Sequence, residues 1–271
     1  MLIRPADFDR LRAFLESRTG IQLEDGKSYL AESRLASIVD QHRLGDLAGL
    51  LRRLPSDRGL EQEVINALTT NETSFFRDHR PFTLLRTEIL PPLMERAQQG
   101  NEVAIWSAAC STGQEAYSVA MVVREEWPSL TDKVRIVGTD LNPEVVDRAK
   151  QGRYSQIEVN RGLAPDLLGR HFRRVDGQYE VVRDVQRMVS FRPHNLLDGY
   201  YGPPFDVVLC RNVLIYSALP TRHRILQRIA RAMRPQGWLM VGTSEHGSVP
   251  VPPFRSVMFP GIQVFRLQDA R

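Results

Sequence analysis

The sequence predicts an α/β protein built around a doubly wound, largely parallel sheet, with an all-helical region before it. Beyond residue 101, short apolar runs alternate with amphipathic stretches, which is typical of strands that helices cover on both faces. Before that point, apolar residues such as Phe8 and Leu11 recur at helical spacing through residues 5–70. The pair Asp176-Gly177 is a hairpin turn signal, and it predicts a small antiparallel insertion in the sheet domain.

The composition is that of an ordinary globular protein, with 271 residues, 42% hydrophobic, 25% charged and a net charge of +4. This length allows one large domain or two smaller ones. Cys110 and Cys210 are too few for a disulfide framework. The first residues lack the features of a signal peptide, and no apolar run reaches the roughly 20 residues that cross a membrane. We therefore expect a reduced, cytoplasmic protein without membrane insertion.

Five apolar runs predict the strands of the sheet, and three stretches between them predict helices. The strands are expected at 103–109, 134–138, 205–210, 238–242 and 262–267, and the helices at 114–126, 143–151 and 217–234. Right-handed connections between parallel strands would make this sheet doubly wound. We assign the alternating apolar residues Tyr179, Val181, Val189 and Phe191 to the antiparallel insertion.

Small and polar residues follow the first two predicted strands, at the sheet edge where such folds bind ligands. The loop after the first strand has one glycine, Gly113, where a dinucleotide site would have three, which favours a nucleoside without phosphates. Asp140 ends the second strand and can accept two ribose hydroxyls, and Glu115 can pair with an amino group. An ordinary turn, an exposed Asp and a helix-start Glu favoured by the helix dipole remain the alternative.

Two later strands are also followed by polar side chains. Asn195 can bond the edge of an adenine while Leu196 packs on its face, although a plain loop would look the same. Arg211, Asn212 and Tyr216 place a charge, an amide and a phenol after a strand that is apolar throughout. This combination favours a functional site over a solvated loop.

Six sequence stretches carry further information in combination: ALTTNETSFFR (67–77), WSAACSTGQEAYS (106–118), GTDLNPEVVDRAKQGRYS (138–155), HNLLD (194–198), FDVVLCRNVLIY (205–216) and GWLMVGTSEH (237–246). With them the chain resembles the CheR-type chemotaxis methyltransferases, which methylate receptor glutamates with S-adenosylmethionine. Each is weak alone, but together and in this order they are specific, and they cover the chain from about residue 5 onward.

The resemblance implies a class I methyltransferase domain at 97–271, with a small antiparallel β-subdomain at about 155–193. An all-helical domain at 1–76 and a linker helix region at 77–96 would precede it. The implied roles fall into two groups. Asn71, Thr73, Arg77, Glu115, Asp140, Asn195, Leu196, Arg211 and Asn212 would contact the cofactor, and Arg77 and Tyr216 would flank the reacting groups as the catalytic pair. No metal is expected, and the product would be S-adenosyl-L-homocysteine.

The partner implied by the resemblance is the cytoplasmic domain of a methyl-accepting chemotaxis receptor, and we expect the enzyme to act as a monomer. The hairpin loop in RRVDGQYEVV (173–182) is short, whereas relatives that dock on a receptor's C-terminal pentapeptide have a longer, glycine-rich loop. This predicts the pentapeptide-independent type. The helix near residues 27–44 carries mixed charges where relatives are often basic, so it does not identify the receptor.

Two other classes of function remain open from the sequence. A nucleic-acid methyltransferase would explain the arginines at 222, 224, 228, 231 and 234, but the Asp/Asn-Pro-Pro-aromatic motif of base methylation is absent, and we expect no nucleic-acid partner. Salt-sensitive DNA or RNA binding would favour that class. A non-catalytic module that senses S-adenosylmethionine would bind the cofactor without transferring methyl groups.

Overall fold

The computed structural model describes residues 3–200, 202–250 and 252–268. The chain divides into two compact units. The helical unit consists of Met1–Thr70 with Ile215–Thr221, and the sheet unit of Asn71–Leu214 with Arg222–Arg271. The domain boundaries given above stay a prediction.

The helical unit contains four helices: α1 (Pro5–Thr19), α2 (Ser28–Gln41), α3 (Leu47–Arg53) and α4 (Arg58–Leu68). Asp46 and Asp57 cap α3 and α4 by accepting the backbone N–H of Gly49 and Leu60, which satisfies donors that a helix start leaves unpaired. Each helix carries buried leucines, and α1 packs against α3 and α2 against α4. The predicted small bundle is thereby confirmed. The segment 215–221 joins this unit through an antiparallel bridge between Ile21 and Ser217.

The sheet unit contains ten strands: β1 (Val103–Ala108), β2 (Val134–Asp140), β3 (Arg153–Tyr154), β4 (Phe172–Val175), β5 (Gln178–Val181), β6 (Val189–Pro193), β7 (Phe205–Cys210), β8 (Met233–Val241), β9 (Phe254–Phe259) and β10 (Ile262–Leu267). Seven form the main sheet in the order β6-β2-β1-β7-β8-β10-β9. The first five of these run parallel to one another, and β10 pairs antiparallel with both of its neighbours, β8 and β9. Every residue of β1 and β7 is buried, as a strand covered on both faces requires.

The chain leaves β1 for β2 and β6 on one side, and later returns to β7 on the other side. The junction of β1 and β7 is therefore the topological switch point, where a doubly wound sheet binds its ligand beyond the carboxyl ends of the strands. The predicted sheet class is confirmed, and this order of strands indicates at which edge a ligand site is expected.

The described residues contain eight more α-helices: α5 (Arg80–Leu84), α6 (Leu90–Gln98), α7 (Gln114–Glu126), α8 (Pro143–Gln151), α9 (Gln156–Asn160), α10 (Pro165–His171), α11 (Arg183–Gln186) and α12 (Leu219–Arg231). The bounds of α7 and α8 agree with the prediction, and α12 is shorter at both ends. A π-helical turn at Leu85–Ile89 joins α5 to α6 just before Pro91 and Pro92, which cannot donate backbone hydrogen bonds.

The assignment of Val189 and Phe191 to the antiparallel insertion was wrong. Their strand, β6, pairs in parallel with β2 at the edge of the main sheet, from Ile136 opposite Val189 to Asp140 opposite Pro193. An edge strand has one exposed face, so it shows the same alternation of polar and apolar residues as an insertion strand. The insertion is a three-stranded sheet in the order β3-β5-β4, and Asp176 and Gly177 form its turn with φ of 48° and 78°.

Two features of the main sheet were missed in sequence. Strand β9 was not predicted, because its exposed Arg255 and Ser256 break the apolar pattern. Strand β8 begins at Met233, earlier than expected, since its first half is polar and only partly buried. Across the described residues, no helix has the length and apolar character needed to span a membrane.

Candidate functional site

The loop between β1 and α7 has an unusual backbone. Ala109, Ser111 and Gly113 adopt positive φ values of 60°, 50° and 92°. A Cβ at Gly113 would lie 2.9 Å from the Ala149 Cβ and 3.0 Å from the Phe191 ring, so only glycine fits there. Left-handed residues cost conformational energy, and they tend to persist where a site needs a particular backbone. The single glycine singled out in sequence is therefore required by packing as well as by φ.

Asp140 lies at the end of β2 with 8% of its surface exposed. Its two carboxylate oxygens accept the backbone N–H of Ser111 at 2.8 Å and of Asn142 at 3.0 Å. Burial raises the pKa of this carboxyl, and the backbone donors act against that rise. Each oxygen keeps acceptor capacity beyond these bonds. The structure thus fixes the orientation of a carboxylate at the place where the sequence predicts ribose recognition.

Asn195 lies next to Asp140 because the two strands that carry them are neighbours. The backbone N–H of His194 donates to the Asp140 carbonyl at 2.8 Å. The Asn195 side-chain oxygen accepts the backbone N–H of Leu197 at 2.9 Å, which shapes the turn after β6. Leu196 is half-buried against the apolar core on one face of the sheet. The structure therefore brings Asp140, Asn195 and Leu196 together, as the sequence predicts.

Arg211 links three elements at the switch point. Its side chain is 2% exposed and bonds the Glu115 carboxylate at 2.9 Å and the Asp78 carboxylate at 2.6 Å. It also donates to the Arg77 carbonyl at 3.0 Å. The second oxygen of Glu115 accepts the Ser107 hydroxyl at 2.7 Å. A guanidinium this buried needs such partners, and they join the β7 end, the start of α7 and the chain before α5 into one network.

The segment 71–77, which we call the linker segment, lies against the loop after β1. The Asn71 carbonyl accepts the Ser111 hydroxyl at 2.8 Å, and the Phe76 N–H donates to the Ser118 hydroxyl at 3.0 Å. Arg77 donates to the Glu72 carbonyl at 3.0 Å, within the segment itself. Thr73 is half-buried. Asn71, Thr73 and Arg77 are thus held beside the strand ends, while their contacts with a cofactor stay a prediction.

Tyr216 belongs to the helical unit, whereas the other predicted site residues belong to the sheet unit. Its carbonyl accepts the backbone N–H of Gln22 at 2.7 Å, and its side chain is half-buried. The pairing of Tyr216 with Arg77 across the reacting groups stays a prediction.

Glu245 is a buried carboxylate that the sequence reasoning missed. It is fully buried and accepts three backbone N–H groups, from Gly242 at 2.6 Å, Asn212 at 2.8 Å and Val213 at 2.9 Å. Asn212 is held at φ 58°. In sequence, Glu245 resembles an ordinary helix-start glutamate, because Gly242 lies three residues before it in a capping-box spacing. Its bond to Asn212 joins the ends of the neighbouring strands β7 and β8, so no local sequence pattern reveals it.

Cysteine and histidine side chains near these strands are not activated for catalysis. Burial raises the pKa of the Cys110 and Cys210 thiols well above their ordinary value, so both stay protonated. Burial, aided by Arg192, lowers the pKa of His194, which is therefore neutral at pH 7. These groups line or support the strand ends without supplying a nucleophile.

Comparison with known proteins gives matches over most of the chain. Residues 6–69 match the family model described as "CheR methyltransferase, all-alpha domain", and residues 71–255 match "CheR methyltransferase, SAM binding domain". Chemotaxis protein methyltransferase 1 of Pseudomonas aeruginosa is 42% identical over 247 residues, which cover 89% of this chain and 90% of that protein. The chemotaxis protein methyltransferase of Vibrio parahaemolyticus is 40% identical, covering 88% and 87%, and that of Escherichia coli is 34% identical, covering 92% and 87%.

Proposed function

The chain belongs to the CheR methyltransferase family, and from this premise we propose that it transfers a methyl group from S-adenosylmethionine to glutamate side chains of chemotaxis receptors. The observation that carries the proposal is the arrangement at the switch point of the sheet. There the carboxylates of Asp140 and Glu115, the turn at Asn195 and the buried Arg211 converge beside the linker segment.

The donor set fits the cofactor. Asp140 presents a carboxylate of fixed orientation for two ribose hydroxyls, and Asn195 with Leu196 offers an amide edge and an apolar face for adenine. Glu115 offers a negative charge for the amino group of the methionine part. Arg211 and Asn212 directly follow β7, at the same edge of the sheet. The single glycine in the loop also suits a nucleoside that carries no phosphates.

When bound, S-adenosylmethionine would supply a methyl group on a positively charged sulfur. Transfer to a carboxylate would form the C–O bond as the C–S bond breaks, with S-adenosyl-L-homocysteine as the leaving group. The chain needs no base for this reaction, because a glutamate side chain is already ionised at neutral pH. Arg77 and Tyr216 orient that carboxylate by hydrogen bonds. The linker segment excludes water, so that fixed donors replace the hydration of the carboxylate.

The substrate is the cytoplasmic domain of a chemotaxis receptor, and the enzyme acts as a cytoplasmic monomer that does not insert into the membrane. The turn between β4 and β5 contains two residues, Asp176 and Gly177, which leaves little chain to hold a docking peptide. This supports the pentapeptide-independent type.

Mass spectrometry of a receptor domain after incubation with the protein and S-adenosylmethionine tests this proposal. The receptor domain is offered both with and without its C-terminal tail. We expect methyl groups on glutamate side chains, at equal rates with and without the tail. Methylation on lysine or arginine would overturn the assignment of the acceptor, and a rate that depends on the tail would overturn pentapeptide independence.

A further inference from the structure

The aromatic ring of Phe75 anchors the linker segment in the three-stranded insertion. Phe75 is fully buried, and its ring centroid lies 4.9 Å from that of Tyr154 and 5.4 Å from that of Phe172, both edge-to-face. Tyr154 belongs to β3 and Phe172 to β4, so two strands of the insertion supply the aromatic rings that pack on Phe75. Such pairs contribute beyond the burial of their surface. The insertion therefore holds the Phe75 ring in place.

The backbone of Gly162, between α9 and α10, presses on the linker segment next to this ring. A Cβ at Gly162 would lie 2.1 Å from the Phe75 carbonyl oxygen, far closer than any side chain allows. Its φ of 95° is also suited to glycine. The neighbouring Arg161 forms an ion pair with Glu72 of the linker segment. Two adjacent residues of the insertion therefore contact the linker segment at two different points.

Tyr154, which packs on Phe75, also bonds the loop after β1. Its hydroxyl donates to the Thr112 carbonyl at 2.7 Å, and the residue is 1% exposed. Burial raises the pKa of this phenol well above its ordinary value, so the hydroxyl keeps its proton and stays a donor. One side chain of the insertion thus contacts both Phe75 and the loop that carries Ser111 and Gly113.

We propose that the three-stranded insertion is a clamp that retains the cofactor, with Tyr154 and Gly162 as positioning residues. It holds the linker segment, with Asn71, Thr73 and Arg77, against the loop after β1. This inference rests on the proposed function only in taking the strand ends as the cofactor site. Loosening the clamp lets the linker segment open, so the cofactor dissociates faster and its KM rises.

The release rate of S-adenosyl-L-homocysteine from the Gly162→Ala variant tests the clamp, and Gly177→Ala is the matched control. Both glycines lie in the insertion at positive φ, 95° and 78°, but a Cβ at Gly177 would meet nothing within 4 Å. Both variants therefore carry the same kind of backbone strain, and only Gly162→Ala pushes on the linker segment. We expect release from Gly162→Ala to be roughly tenfold faster, and release from Gly177→Ala to stay within about twofold of the wild type.

A second variant, Tyr154→Phe, covers the case in which Gly162→Ala does not fold. It removes only the bond to Thr112, so we expect release about threefold faster and faster amide exchange in residues 71–77. Wild-type release from both Gly162→Ala and Tyr154→Phe would overturn the clamp, as would an equal effect of Gly177→Ala. Failure of the wild-type protein to bind S-adenosyl-L-homocysteine at all would instead contradict the proposed function.

Discussion

Asp140 shows how burial affects a predicted recognition residue. Its carboxylate is almost enclosed at the end of β2, where desolvation raises its pKa and two backbone N–H donors keep it oriented. The charged form is the better acceptor for ribose hydroxyls, so we expect protonation of Asp140 to weaken cofactor binding. Because the pKa is raised, the protonated fraction becomes significant at a higher pH than for an ordinary aspartate.

Titration calorimetry with S-adenosyl-L-homocysteine at several pH values tests this role. We expect the wild-type affinity to fall as the pH decreases towards the raised pKa of Asp140, with the loss beginning above the range of an ordinary aspartate. Asp140→Asn should bind at least tenfold more weakly at neutral pH, equivalent to about 1.4 kcal/mol, and show little of this pH dependence. Wild-type affinity in Asp140→Asn would remove Asp140 from the cofactor site.

In the proposed mechanism, the orientation of the acceptor depends on Arg77 and Tyr216. We expect Arg77→Ala and Tyr216→Phe each to lower the rate of methyl transfer by about tenfold or more, because each removes a donor to the carboxylate. Tyr216→Phe should leave the affinity for the cofactor unchanged. The measurement is the rate of label transfer to a receptor domain at saturating cofactor. Wild-type rates in both variants would exclude the pair from catalysis.

At the scale of elements, buried carboxylates fasten one strand end to another. Glu245, after β8, accepts the N–H groups of Asn212 and Val213, after β7. Asp206, near the opposite end of β7, bonds Arg96 at 2.6 Å and the backbone N–H of Ala104 at 2.9 Å. Both carboxylates are buried in the same unit, but only Glu245 shapes the backbone at the predicted cofactor edge.

Glu245→Gln and Asp206→Asn therefore form a matched pair. A buried N–H left without an acceptor costs roughly 1–3 kcal/mol, so both variants should unfold at lower temperature. Only Glu245→Gln should also weaken binding of S-adenosyl-L-homocysteine, by about tenfold, because it releases Asn212 from its left-handed conformation. Equal affinities in the two variants would show that Glu245 serves stability alone.

Elements with strong local patterns were predictable from sequence, and elements defined by long-range pairing were not. Helices α7 and α8 were predicted with their bounds, because apolar periodicity and the start and stop residues lie within the segment. Strand β6 was placed in the wrong sheet, because alternation indicates a strand but does not name its partner. Candidate site positions such as Asp140 and Asn195 could be predicted, because they lie at or just after the ends of apolar strands. Glu245 and Tyr154 act through contacts far away in sequence, so no local pattern reveals them.

For the whole protein, we propose that the end of the parallel sheet and the linker segment hold a methyl donor for a carboxylate on another protein. The family of the chain supports a methyltransferase that uses S-adenosylmethionine. The identity of the acceptor group determines whether base removes the transferred methyl group. A methyl ester of glutamate is cleaved by base, whereas a methylated amine is not.

The most direct measurement is therefore the base lability of the transferred methyl group. Receptor membranes are incubated with the protein and labelled S-adenosylmethionine, washed, and treated with base, with Asp140→Asn in parallel. We expect the label to leave as volatile methanol, and the variant to transfer far less of it at low cofactor concentration. A label that stays bound to protein after base, or that is found on nucleic acid, would contradict this proposal.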